Sequence, residues 1–361
     1  IAFSLAMLVS ASFSYFPQAA FKVSFDYLKL VVFYFVLVVT LRDEEQFKKF
    51  ILAYIGIMLL YVGKSAWEFF LHDRYVWRMG IKRMVGIDTT YGDPNAFAAS
   101  IAYSLPFVWA MIRLGLEQVW QRRALWVYGV LAVVSIIYTG SRSGMVTLLL
   151  FFALIWLGGR RKIAGMVVLT ALLGFTWIMM PDSLQMRFES IYDADAGTAG
   201  AHVSAQGRTV GFKQGIALFK QYPVLGIGPG NFRFGWDDGR GANAHNLYGL
   251  VLGEFGAVGT ASFAALLICT AIGHRQNLRR IGVLEQSFPA QADTPSEPAL
   301  QERTLLLFRL VAIASLQTML LMLFKGWADH NLYRYNWLWI GALAVLTSYF
   351  LSQREGRRVR L

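Results

Sequence analysis

Charge is what this sequence has least of. Only 16% of its 361 residues are Asp, Glu, Lys or Arg, against about a quarter in an ordinary soluble domain, while 56% are hydrophobic. So large an apolar share cannot be hidden in a soluble core, and lipid must solvate much of the surface. Cysteine is almost missing. Cys269, the single one, lies in an apolar run, which excludes an intramolecular disulfide. No Cys/His cluster has zinc spacing, since His72, His202 and His274 stand apart from one another. Gly226-Ile227-Gly228-Pro229-Gly230 is not a dinucleotide fingerprint, because no strand precedes it and no βαβ helix follows. A start Met and a charged leader are also lacking. The chain opens at Ile1 inside an apolar stretch and reads as N-terminally incomplete rather than as a signal peptide.

What the sequence does have is apolar runs, at 1–14, 25–41, 50–71, 95–113, 124–139, 143–158, 163–180, 247–272, 304–324 and 337–352. They predict an all-α integral membrane protein, a multi-spanning helix bundle of roughly ten spans forming one transmembrane domain over 1–361. Aromatics make up 15% of the chain, with 11 Trp, as two interfacial belts require. The formal charge of +12 would suggest nucleic acid on a soluble protein. Here short basic loops at 42–49, 122–123, 160–162 and 275–280 and the tail 354–360 alternate along the chain with the remaining loops, which puts them in the cytoplasm. Residues 274–303 form a polar cytoplasmic linker. The other loops face outward, and 181–246 is much the longest, a periplasmic subdomain that is not low-complexity. Within it, 208–222 is amphipathic, with Phe212, Ile216 and Phe219 on one helical face and Pro223 ending the run. It is a helix lying either on the outer membrane surface or on the tops of the bundle.

Outward loops should be poor in Lys and Arg, yet this face carries Arg74, Arg78, Lys82, Arg83, Arg142, Arg187, Arg208, Lys213, Lys220, Arg233 and Arg240. Three positions stand out. Arg142 lies in a connection so short that its guanidinium sits at membrane level, where an unpaired charge is costly; the plainer reading is an interfacial anchor that snorkels to water. Arg208 heads the amphipathic stretch with a fork suited to phosphate, though a solvated helix residue would look the same. His245 sits where the long loop enters the next apolar run, and histidine is the side chain best suited to take a proton near neutral pH. By itself it would read as a hydrogen-bonded interfacial histidine; beside two arginines on one face it reads as a base. Glu254 is a charge inside a span and needs a partner. Lys64 and Glu68 form an i,i+4 pair, Asp93 or Asn95 caps a helix start, and Asp329-His330 is a second, weaker acid/base pair. Asp193-Ala194-Asp195 has metal-motif spacing in an Ala/Gly-rich stretch and reads as a solvated loop. An arginine-rich outer site with one well-placed histidine suits a lipid-linked pyrophosphate, its leaving charge held by arginines while the histidine takes a proton from the attacking hydroxyl.

Thr139-Gly140-Ser141-Arg142-Ser143-Gly144, then Gly207-Arg208, then Tyr222-Pro223-Val224-Leu225-Gly226-Ile227-Gly228-Pro229-Gly230-Asn231-Phe232, then Ala244-His245-Asn246 and Gly253-Glu254-Phe255-Gly256 occur in an order and spacing that resembles the bacterial O-antigen ligase/polymerase family. The resemblance runs from about residue 90 to 260, and the helix layout agrees to the end. It implies a glycosyltransferase of the bacterial inner membrane, multi-pass, with its active site facing the periplasm. Such an enzyme takes an undecaprenyl-pyrophosphate-linked glycan as donor and a lipid A-core sugar or a growing glycan as acceptor, works with inversion, and uses no metal or cofactor. By position it implies His245 as the catalytic base and Arg142 and Arg208 as the pyrophosphate ligands. Ser141, Asn246 and Glu254, from the same motifs, join them as substrate-binding candidates. The first reading is the O-antigen ligase. An O-antigen or exopolysaccharide polymerase and a protein O-oligosaccharyltransferase share its chemistry. From other classes, a transporter would line its path with Lys64, Glu68 and Glu254, but no internal repeat is visible; a non-catalytic lipid-binding scaffold would bind without turnover.

Overall fold

The computed structural model describes the chain except residues 79, 89, 160–162, most of 164–181, 190–198, 237–238, 240, 287–295 and 359–361. In chain order the described elements are α1 (Ala2–Ser12), α2 (Pro17–Thr40), α3 (Glu44–Leu71), β1 (Tyr75–Arg78), β2 (Ile81–Met84), α4 (Pro94–Leu114), α5 (Val119–Tyr138), α6 (Arg142–Gly158), α7 (Asp182–Glu189), α8 (Ala199–Gln221), α9 (Leu247–Gln286), α10 (Ser296–Gly326) and α11 (Asn336–Arg358), with 3-10 turns at Phe232–Phe234 and Asn331–Tyr333.

Five of the described helices are long and apolar enough to cross a membrane: α2, α3, α4, α9 and the 301–326 part of α10. Two more, α1 and α6, are apolar but shorter. At about 1.5 Å per residue, the 24 residues of α2 reach roughly 36 Å, more than a hydrocarbon core. Pro17 occupies its first turn, where the missing N–H costs nothing. Its outer face leaves Val32, Phe33, Phe35, Val36 and Val39 exposed, a surface only lipid would solvate.

The chain divides into two compact units. The first comprises 1–51, 207–319 and 326–361. There α1 and α11 pack on α9, and α2 packs on α1 and α11. Phe3 meets Tyr27, Phe255 and Phe263, and the parallel rings of Phe308 and Phe350 lie 5.8 Å apart with Phe47 edge-on to both. The basic end of α9 was expected as a loop and linker, but it stays helical to Gln286. Arg280 explains how a basic segment can do so. Its guanidinium holds both Glu355 carboxylate oxygens (3.0 and 2.7 Å) and the Ser348 and Ser352 hydroxyls (2.9 and 2.8 Å) of α11.

The second unit comprises 52–206 and 320–325. Here α4 is nearly all buried and packs on α5 and α6. Asp93 caps it by accepting from the Asn95 N–H at 3.0 Å, and Lys64 pairs with Glu68 at 2.5 Å, both as the sequence indicated. The loop expected at 72–94 contains the antiparallel hairpin β1–β2, one departure from an all-α chain. Its strand residues Tyr75, Val76, Trp77 and Ile81 are strand formers, and Gly80 supplies the turn. Ile81 joins Ile137, Met180, Leu184 and Phe188 in a small core.

Candidate functional site

The site in the first unit starts from a broken helix. Gly256 adopts φ 57° and ψ −152° inside α9, interrupting its hydrogen-bond ladder where only glycine is comfortable. The turn at 222–230 takes up the backbone groups this releases. The Ile227 and Gly228 N–H groups donate to the Gly253 and Glu254 carbonyls (2.9 and 3.0 Å). In return the Ala257 and Val258 N–H groups donate to Pro223 and Val224 (2.8 and 3.1 Å). Gly226 lies so close that a Cβ would fall 2.3 Å from the Glu254 backbone. The Tyr222–Phe232 and Gly253–Gly256 motifs, separate in sequence, are thus two halves of one backbone joint.

Glu254 closes that joint. It is 1% exposed, and its carboxylate accepts from the Phe232 N–H (3.1 Å) and the Tyr333 hydroxyl. Burial and the adjacent carboxylate push the Tyr333 phenol well above its ordinary pKa, so it remains a donor. The expected partner of Glu254 therefore exists, and it belongs to the protein: Glu254 holds the 226–232 turn and the 331–333 turn together.

α8 runs across the start of α9. The sequence placed Phe212, Ile216 and Phe219 together on one apolar face. The residues buried are instead Gly211, Gly215 and Leu218. Glycine has no hydrophobic side chain to reveal a buried face, yet it permits backbone contact. A Cβ on Gly211 would sit 1.9 Å from the Ala244 carbonyl oxygen, and one on Gly215 would sit 2.2 Å from the Gly249 oxygen. Of the two placements open to this helix, packing on the bundle is the one observed. Arg208 is three residues before Gly211 and shares its face, which brings the arginine's turn to the segment holding His245.

His245 is exposed, directly before α9, with φ 46°. A non-glycine residue in this region costs about 1–2 kcal/mol and persists only where its surroundings enforce it. Here they do. Ala244 is fully buried under α8, and Asn246 is fully buried on the other side. Asn246 caps α9, its Oδ1 accepting from the Gly249 N–H at 2.9 Å, while its Nδ2 donates to the Trp327 carbonyl at 3.1 Å. Its side chain thus fixes the backbone that presents His245. Trp327 also packs on Phe212 and Tyr248, with centroids 5.4 and 6.2 Å apart. His330 comes from the same loop, its ring 5.3 Å from that of His245. Tyr333 and Arg334 were not singled out by the sequence; nothing in their spacing shows that the 327–335 loop returns to the start of α9.

Arg142 and Ser141 belong to the second unit. Ser141 is the N-cap of α6, its Oγ accepting from the Gly144 N–H at 3.1 Å. Arg142 is the first helical residue and half-buried. A cation at the positive end of a helix gains nothing from the helix dipole, whereas an anion there would be favoured by both the dipole and the guanidinium. Arg83 was one basic residue among many in the sequence and proves to be 1% exposed. Its Nε donates to the Thr139 carbonyl at 2.7 Å and its Nη2 to Asn95 Oδ1 at 3.0 Å, so it holds the turn that carries Arg142. The Asp193 and Asp195 pair and Arg240 lie outside the described residues.

Multiple apolar helices, a broken span and polar turns built against it define a multi-pass membrane protein. Residues 127–264 match the family model of the O-antigen ligase. That segment contains the Arg142 turn, α8, the 222–232 turn, His245 and the break at Gly256. Over that segment the chain is similar to the O-antigen ligase family, the family its motifs also resemble. No curated protein sequence matches it significantly.

Proposed function

We propose that the protein is an O-antigen ligase of the bacterial inner membrane. It transfers a glycan from undecaprenyl pyrophosphate to a sugar hydroxyl of the lipid A-core on the periplasmic side. The observation that carries this reading is His245, held exposed in a left-handed conformation between two buried neighbours, with the Arg208 turn packed beside it, inside the family match. An imidazole so placed suits proton abstraction, and guanidinium forks suit the oxygens of a departing pyrophosphate. His245 takes the proton of the acceptor hydroxyl as its oxygen bonds to the anomeric carbon. The bond from that carbon to phosphate oxygen breaks, its electron pair leaving on the pyrophosphate. One displacement of this kind inverts the anomeric centre. Arg208 receives the leaving charge, and the resemblance gives Arg142, in the second unit, as a further pyrophosphate ligand. Asn246, Ser141 and Glu254 act through the backbone, as two caps and a clasp.

The test is transfer in vitro, with purified protein, polyprenyl-pyrophosphate glycan and lipid A-core. His245→Gly is the informative variant, because glycine tolerates the conformation that alanine would strain. Single-turnover transfer is expected to fall by about 10²–10⁴-fold with donor binding retained. An unchanged rate would remove the base. Lengthening of donor chains without transfer to lipid A-core would make the protein a polymerase, and binding without turnover would favour a transporter or scaffold.

A further inference from the structure

We propose that His330 is a proton-relay residue for the transfer reaction, receiving from His245 the proton removed from the acceptor hydroxyl. This rests on His245 being the base. The two exposed imidazoles meet edge to face, at 5.3 Å and 67°. The contact is built from both sides. Asn246, next to His245, is bonded to the Trp327 carbonyl three residues before His330, and Glu254 is bonded to Tyr333 three residues after it. Two clasps therefore bracket His330 and hold its loop to α9.

Behind His330 stands Asp329, largely buried. Its Oδ1 accepts the His330 backbone N–H at 2.9 Å and lies 4.0 Å from Nδ1 of the same ring. Its Oδ2 lies 3.9 Å from Nη2 of Arg334, itself 4% exposed. Asp329 thus places a carboxylate on the Nδ1 side of the His330 ring. Two imidazoles in contact resist carrying two charges at once, so a proton on one disfavours a proton on the other. The chemistry balances simply. The acceptor O–H bond breaks, its proton passes to His245 and then to His330, and water takes it between turnovers. His245 is thereby neutral again for the next acceptor. His330 touches neither donor nor acceptor in this scheme and acts only through His245.

The experiment is steady-state transfer by full-length His330→Gln, with solvent isotope effects and added imidazole. The expected result is a kcat about tenfold or more below wild type with both KM values unchanged and a larger solvent isotope effect. A second variant, His330→Ala, should recover part of its kcat with millimolar imidazole, a rescue that a residue which merely packs would not show. Wild-type kcat and isotope effect in His330→Gln would overturn the relay while leaving His245 as base. If His330→Gln fails to fold, absence of imidazole rescue in His330→Ala would overturn it equally. Loss of the proposed function itself would appear differently, as no transfer by the wild-type protein.

Discussion

A single methyl group at Gly211 should disable transfer without touching any charged residue. In the native structure a Cβ there would lie 1.9 Å from the Ala244 oxygen, 2.8 Å from its carbonyl carbon and 3.2 Å from its Cα. All three are backbone atoms, so no side chain can swing aside. Ordinary contact begins near 3.4 Å, and α8 must therefore retreat from the start of α9 by roughly 1.5 Å, an overpacking that costs about 1–3 kcal/mol. The residue displaced along with Ala244 is His245, and the turn displaced on α8 is that of Arg208. A misplacement of about 1 Å at a reacting group costs on the order of 10²-fold in rate. The assay is transfer by Gly211→Ala alongside its melting temperature and donor affinity. The control is Gly207→Ala, one turn earlier on the same helix, where a Cβ meets nothing within 4 Å; alanine there should leave transfer intact and favour the helix by up to about 1 kcal/mol. If Gly211→Ala transfers at the wild-type rate, the apposition of α8 and the His245 segment has no part in catalysis.

Arg208→Lys keeps the charge but loses the fork, and should restore only part of the donor affinity that Arg208→Ala loses; full recovery, read from donor KM, would reduce the role of Arg208 to a point charge. Glu254→Gln replaces one acceptor oxygen of the clasp by an NH2 group and should lower stability by about 1–3 kcal/mol, with Tyr333→Phe costing roughly 1 kcal/mol, both measured by thermal melting. Normal melting with lost donor affinity would return Glu254 to substrate binding. Ser141→Ala removes the cap of α6 and should cost about 1 kcal/mol. Because the cap also orients the first helical turn, donor KM should rise with it, and an unchanged KM would separate Arg142 from the cap.

The membrane class of this protein was legible from composition, since 56% hydrophobic residues leave no aqueous fold to choose. The helices followed from apolar runs, and Asp93 was marked as a cap, whereas Ser141 and Asn246, read as substrate-binding candidates, emerged as caps only in the structure. His245 and Arg208 stood out as candidates because charge is rare here and their motifs are ordered along the chain. Tertiary structure decided the rest. Glu254 reads as a charge looking for a ligand until Phe232 and Tyr333 are seen around it, 22 and 79 residues away. α8 reads as an aromatic-faced amphipathic helix until Gly211 and Gly215 bring its backbone against α9. His330 reads only as half of a weak acid/base pair with Asp329 until Asn246 and Trp327 hold its loop beside His245. Local sequence carries hydropathy, helix period and capping chemistry, because each is settled within a turn or two of chain. It carries no sign of backbone contacts at glycine or of hydrogen bonds between distant loops, because those exist only once the helices have packed.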